Sequence, residues 1–200
     1  MPTPWRKKLY KELSSLNLSG KIIDLGGSRK SGYHEILKGD FLIEVANIDE
    51  GYGYDHKVDL EKSFLLSANS YDATLAINVM EHVYDYRNFL SESFRILRQG
   101  GSIVIAVPFM IQIHPCPHDY WRYSGDTLEK ILSEAGFRDV NVVAVGAGPF
   151  TAAYQIIYNA LYFDIIRFPF AFAAKGLDAI IKAKFSKKNY PLGYFATAKK

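Results

Sequence analysis

The chain has 200 residues, 48% of them hydrophobic and 22% charged, a balance that suits a soluble globular domain large enough for its own core. A formal net charge of only +3 is too small to point to nucleic acid by itself, and no nucleic-acid partner is expected. The single cysteine, Cys116, excludes an internal disulfide and points to a reducing compartment, the cytoplasm.

The opening residues, MPTPWRKKLYKELSSL, lack the apolar core of a secretory signal. Within the N-terminal segment 1–20, Trp5, Leu9, Leu13 and Leu16 recur every three or four positions, which predicts a helix over residues 5–16. KIIDL reads as a short buried strand, YHEIL as a helical piece, and FLIEVANID as a second strand ending in Asp49. HKVDL is a third strand and YDATLAINV a fourth; YRNFLSESFRILRQGG is a helix stopped by Gly100 and Gly101. SIVIAVP, rich in β-branched residues and closed by Pro108, is a fifth strand. SGDTLEKILSEAGF is a helix capped by Ser124 or Asp126 and stopped by Gly136. RDVNVVAV and PLGYFATA are the sixth and seventh strands. Strands separated by helical patterns give an α/β domain, 1–200, with a mostly parallel sheet and helices on both faces. Such sheets bind ligands beyond the C-terminal ends of their strands.

Those strand ends carry chemistry. Gly26 and Gly27 follow the first strand, where missing Cβ atoms let backbone amides approach a ligand; a plain tight turn is the structural alternative. Asp49 lies 25 positions after Asp24, a distance suited to a carboxylate that accepts from both hydroxyls of a ribose; a helix cap is its alternative. Asp59 can accept from an exocyclic amine. A nicotinamide dinucleotide fits poorly, because GGSRKSG lacks the G-x-G-x-x-G spacing.

On these residues the chain resembles the Rossmann-like, class I S-adenosylmethionine-dependent methyltransferases over nearly its whole length. IIDLGGS looks like the glycine-rich first motif and ANIDE like the acidic end of the second strand. KVDLEKSF matches the segment past the adenine, and the run from Tyr71 to Phe109 matches the fourth strand, its Glu81-His82 pair, the next helix and the fifth strand. PHDYWRYSGDTLEKILSEAGF looks like a segment of a bacterial, small-molecule, type 11-like branch. The resemblance implies a three-layer sandwich with a seven-stranded sheet in the order 3-2-1-4-5-7-6, the last strand antiparallel, and S-adenosyl-L-methionine as cofactor. It implies that Gly26, Gly27 and Ser28, with Asp24 before them, border the cofactor's amino-acid part. Asp49 would hold the ribose, Asp59 and Leu60 would flank the adenine, and Asn78 would lie under the methionine moiety. Ser28 stands where the second of the family's alternating glycines is usual, which leaves a non-catalytic relative as the alternative reading.

Methyl transfer to oxygen needs alignment and a base. The richest stretch is HPCPHDYWRY. His118 is the first candidate base, oriented by Asp119, and His82 the second; a structural His118–Asp119 pair is the alternative. Glu81 is read as a cap for local amides. His114, Tyr120 and Arg122 are placed toward the acceptor, and Asp126 is an alternative partner for Arg122. No metal site is expected, because Pro115 and Pro117 forbid a helix and one short loop rarely closes a tetrahedral site.

Residues 149–188 form an apolar helical insertion between the last two strands. Thr151, Gln155 and Asn159 form one stripe, and Tyr154, Tyr158 and Tyr162 its neighbour, of which Tyr154 and Tyr158 are candidate acceptor contacts. Asp164 and Arg167 interrupt the run, so it is not a membrane span. It walls an acceptor pocket, lies on a membrane surface through Arg167, Lys175, Lys182, Lys184, Lys187 and Lys188, or forms a homodimer interface or a plain extension of the core. The reading is methyl transfer to a small-molecule, glycan or lipid-linked acceptor, at oxygen, by a cytoplasmic enzyme with the inner membrane face as a candidate docking place.

Overall fold

The computed structural model describes residues 2–161, 163–181 and 189–200. The chain runs α1 (Pro4–Leu13), β1 (Asn17–Leu25), β2 (Lys38–Asn47), β3 (His56–Lys57), β4 (Tyr71–Ile77), α2 (Tyr86–Ile96) and β5 (Leu97–Pro108). It continues through α3 (Gly125–Glu134), β6 (Arg138–Gly146), α4 (Pro149–Ile157), α5 (Asp164–Ile181) and β7 (Pro191–Lys199). The seven strands form one sheet in the order β3-β2-β1-β4-β5-β7-β6. β7 runs antiparallel to both neighbours, and the other pairs are parallel. This is the order that the resemblance implies, and it brings the C-terminal ends of β1, β2, β4 and β5 to one edge of the sandwich.

Local chemistry sets the helices. Thr3 caps α1 by accepting from Arg6 N–H, Pro4 opens it, and Trp5, Leu9 and Leu13 fall on one buried face. Asp85 caps α2 and Ser124 caps α3. Phe89, Leu90, Leu128 and Leu132 bury one face of the sheet under α2 and α3. Trp5, Leu9, Leu13 and Ala152 cover the other from α1 and α4, against Ile22, Leu75 and Val104.

Three expectations change. The first helix ends at Leu13, short of residue 16. YHEIL contributes only a three-residue 3-10 turn, His34–Ile36, so the crossover from β1 to β2 carries no α-helix. Gly100 and Gly101 do not stop α2; the helix ends at Ile96 and β5 starts at the next residue. Gly100, at φ +79°, and Gly101 lie inside β5, where a Cβ on Gly101 would sit 2.9 Å from Arg98 O and 3.1 Å from Asp72 O. There β4 and β5 shift register, between Tyr71 and Ala73.

The open edge of the sheet is tied by Glu44 on β2. Its carboxylate takes Lys21 Nζ at 2.9 Å, His56 Nε2 at 2.8 Å and Tyr71 OH at 2.8 Å, linking β1, β3 and β4. Burial alone would raise this carboxyl; the hydrogen bonds from Lys21, His56 and Tyr71 outweigh it and hold the pKa at about 2. The folded value is below the ordinary 4.5, so the stabilisation is full above pH 4.5 and is lost as pH falls through 2. Glu44→Gln should cost on the order of 2 kcal/mol at neutral pH and flatten the acid limb of stability between those values. Urea titrations at a series of pH values check this; parallel curves for the two proteins would refute it.

The insertion is a helical hairpin. Asp178 of α5 reaches the N-terminus of α4, where it accepts from Phe150 N (3.0 Å), Thr151 N (2.9 Å) and Thr151 Oγ1 (2.5 Å). A Cβ on Gly148 would sit 2.6 Å from that carboxylate. Asp178→Ala should loosen the hairpin by about 1–2 kcal/mol and leave the sheet intact. Hydrogen exchange reports this as faster exchange at Phe150 and Thr151 alone; unchanged protection there would count against it. Along α5, Ile165, Phe168, Phe172 and Ile180 recur at helical spacing and are 83%, 65%, 76% and 77% exposed. No helix among the described residues is long and apolar enough to cross a membrane. Tyr162, Lys182, Lys184, Lys187 and Lys188 lie outside the described residues.

Candidate functional site

The turn after β1 is built on Asp24, which is fully buried. Asp24 Oδ2 accepts from Tyr33 OH (2.6 Å) and pairs with His34 Nε2 (2.7 Å), while Oδ1 is buried with no partner. Burial raises this carboxyl, and the hydrogen bonds from His34 and Tyr33 work against that rise. Gly27 lies directly on it: a Cβ there would be 1.9 Å from Oδ2 and 2.7 Å from Oδ1. Gly26 has φ +75° and donates to Ala46 O at 2.7 Å, and a Cβ there would lie 2.8 Å from both Val79 methyls and 3.3 Å from Leu60 Cδ1.

Asn47, at the end of β2, ties the turn to the next strand. Its Nδ2 donates to Gly27 O at 2.7 Å, and its Oδ1 accepts from Ile48 N and Asp49 N at 2.8 and 3.1 Å. Asp49 is thereby held beside the turn. Its Oδ1 takes Gly51 N–H at 2.8 Å, and its Oδ2 has no partner among the described residues. Ser28 does not aim its hydroxyl outward: Oγ donates to Tyr52 O at 2.7 Å and accepts from Lys30 N. Asp59 pairs with Lys62 (2.9 Å) and accepts from Glu61 N (3.0 Å), with Leu60 packed beside Gly26. Asn78 follows β4 at φ +55°, and its Oδ1 accepts from Trp5 Nε1 at 2.9 Å. No local pattern signals that α1 reaches this strand end, or that Tyr33 and His34 hold Asp24.

A second cluster joins the turn after β4 to the loop after β5. Glu81 is fully buried and neither carboxylate oxygen has a hydrogen-bond partner, so it caps no amide; only its carbonyl accepts, from Tyr120 N and Trp121 N. His82 Nδ1 donates to His118 O at 2.5 Å, and its Nε2 faces Glu81 Oε1 at 3.7 Å. His114 Nε2 faces the same oxygen at 3.6 Å. The His118 imidazole is exposed and tilted against Tyr120, 5.3 Å between ring centroids.

Asp119 does not orient His118. Its carboxylate holds both terminal nitrogens of Arg122, accepts from His114 N at 2.9 Å and lies 3.3 Å from His114 Nδ1. The Arg122 guanidinium therefore pairs with Asp119 rather than Asp126 and is spent inside the loop. Tyr120 packs edge-on against Tyr84 at 5.3 Å. A depression of about 640 Å³, lined by Tyr84, Tyr86, Arg87, Trp121 and Tyr123 among others, lies on this flank; none of the Gly26–Ser28, Asp49 or Asn78 residues lines it. Tyr154 and Tyr158 also differ from expectation. Both are 5% exposed inside the α4–α5 hairpin, Tyr154 OH donates to Arg167 O, and Arg167 lies over the Tyr158 ring.

A glycine turn seated on a buried acid, an acid at the end of the neighbouring strand and this strand order define Rossmann-like proteins with an adenosyl-cofactor crevice at the strand ends. The methyltransferase-domain family, type 11, matches residues 9–105. These residues, just under half of the chain, are similar to the class I, S-adenosylmethionine-dependent methyltransferases. It is 28% identical over 142 residues to a protein of Mycolicibacterium smegmatis assigned as an S-adenosylmethionine-dependent methyltransferase, covering 60% of this chain and 55% of that one. It is 32% identical over 87 residues to an O-methyltransferase of Penicillium expansum, covering 38% of this chain and 31% of that one. The chain thus spans about half the length, or less, of these curated relatives. In fold it is similar to a SAM-dependent methyltransferase from Archaeoglobus fulgidus, with TM-score 0.58, 19% identity, and 98% and 92% of the two chains covered. The family match stops at Ile105, before the 114–123 loop and the insertion.

Proposed function

We propose that the chain transfers a methyl group from S-adenosylmethionine to an oxygen of a small-molecule, glycan or lipid-linked acceptor. The observation that carries the cofactor assignment is Asp24 Oδ1, a buried acceptor with no protein partner beneath a glycine that tolerates no Cβ. It suits the ammonium of the cofactor's amino-acid part, as the unspent Oδ2 of Asp49 suits a ribose hydroxyl. S-adenosylmethionine supplies a sulfonium-bound methyl group open to in-line displacement. The chain's part is to align the acceptor and take its proton. His118, with an exposed imidazole that makes no side-chain hydrogen bond among the described residues, is the base in this reading. The O-methyltransferase relative supports oxygen as the target.

The apolar stripe of α5 supports a lipid-linked acceptor met at the inner membrane face by a cytoplasmic protein. A homodimer through the same residues is the alternative that liposome sedimentation and light scattering separate. Calorimetry tests the core of the reading: S-adenosylmethionine should bind with one site per chain, and no heat at millimolar ligand would leave a non-catalytic relative in its place.

A further inference from the structure

We propose that Glu81, His82 and His114 form a binding site for one divalent transition-metal ion of the zinc class. The three side chains come from the turn after β4 and the loop after β5, and one ligand atom from each lies within 4.8 Å of the others. Glu81 is fully buried and neither oxygen is hydrogen-bonded. A buried carboxylate left so is costly unless a cation meets it. The two imidazole contacts to Oε1, at 3.7 and 3.6 Å, are too long for hydrogen bonds. They match the separation of about 3.4 Å between two ligand atoms bonded to one tetrahedral ion at about 2.1 Å each.

The far sides of the rings agree. His82 Nδ1 is tied to His118 O, and His114 Nδ1 faces Gln112 O at 3.2 Å and the Asp119 carboxylate at 3.3 Å. With Nδ1 the donor on each ring, Nε2 is the atom left to meet an ion beside the Glu81 carboxylate. Backbone carbonyls and a carboxylate behind imidazoles are the usual outer partners of metal-bound histidines. Two imidazoles favour zinc-like ions over magnesium or calcium, which prefer oxygen. Closing on the ion asks for about 1 Å of movement, which the loop-borne His114, its side chain 35% exposed, supplies. His114 is also the route of entry. The site departs from the expectation of no metal, because Glu81 supplies the ligand that the 114–123 loop lacks.

The test does not depend on methyl transfer. The full chain is stripped with a chelator, dialysed, and titrated with Zn²⁺ by calorimetry and with Co²⁺ by visible absorption. One equivalent per chain is expected, with the intense d–d bands of a low-coordinate cobalt site and a rise in the melting temperature. His114→Ala should weaken binding by about 100-fold or more, as should Glu81→Gln, while Cys116→Ser leaves it unchanged. No heat and no cobalt bands at millimolar metal in the wild-type chain overturn the proposal. So does undiminished binding in a folded His114→Ala protein, which would put the ion elsewhere. The wild-type titration decides the matter even where Glu81→Gln fails to fold.

Discussion

Gly27→Ala is expected to weaken S-adenosylmethionine binding by about 100-fold or more and to lower stability by about 1–3 kcal/mol. The added methyl would lie 1.9 Å from Asp24 Oδ2 and 2.2 Å from Cγ. Asp24 has little room to yield: it is fully buried, and Oδ2 is held by Tyr33 and His34. Either the turn lifts, carrying away the Gly27 carbonyl that Asn47 holds, or the carboxylate leaves its two partners. Both routes disturb Asp49, whose amide is fixed by the same Asn47. Gly32→Ala is the control, since a Cβ there meets only Tyr10 OH, at 3.9 Å. Calorimetry and thermal melts read the difference. A Gly27→Ala protein that binds S-adenosylmethionine as the wild type does would show that this turn is not the cofactor cradle.

The strands were legible because their signal is local. Ile22–Ile23, Ala73–Ile77 and Ile103–Val107 are apolar runs too short for helices, and each became a buried strand. The end of α2 was not legible, since a Gly-Gly pair after a helical run has the form of a stop signal. What decided it was the pairing of Leu97 with Tyr71, a contact between residues far apart in the chain. YHEIL failed for a similar reason: Tyr33 and His34 are drawn to Asp24, and a three-residue turn is what the short crossover leaves room for.

The candidate site divides the same way. Asp24, Gly26, Gly27, Asp49 and Asn78 lie at or just past the ends of β1, β2 and β4, which local sequence pattern locates. Positions that depend on loop conformation did not follow. Asp119 and Arg122 chose each other, a pairing three residues apart that a loop makes easy. Tyr154 and Tyr158 pack inward because the α4–α5 hairpin needs a core of its own. Trp5 is the instructive omission: its ring was rightly placed on a buried helix face, but only the fold brings its N–H to Asn78. The Trp5–Asn78 hydrogen bond ties the N-terminal helix to the end of β4.

Arg122→Ala should destabilise the chain by about 3 kcal/mol, an effect on folding rather than on acceptor affinity. The Asp119 side chain is 1% exposed, and Arg122, 25% exposed, holds both of its oxygens. Removing the guanidinium leaves a buried carboxylate with only His114 beside it. The guanidinium also donates to Trp121 O at 2.8 Å and Gln112 O at 3.4 Å, so the loop loses its internal brace as well. The double variant Arg122→Ala/Asp119→Asn should recover part of the loss, because the unpaired charge is gone even though the brace is not. Had Arg122 been free to meet an acidic acceptor, the single variant would keep its urea midpoint and raise KM alone. A midpoint unchanged from wild type would therefore return Arg122 to the acceptor side of the site. A lowered midpoint with partial rescue in the double variant identifies it as the counter-ion that keeps the 114–123 loop folded over the strand ends.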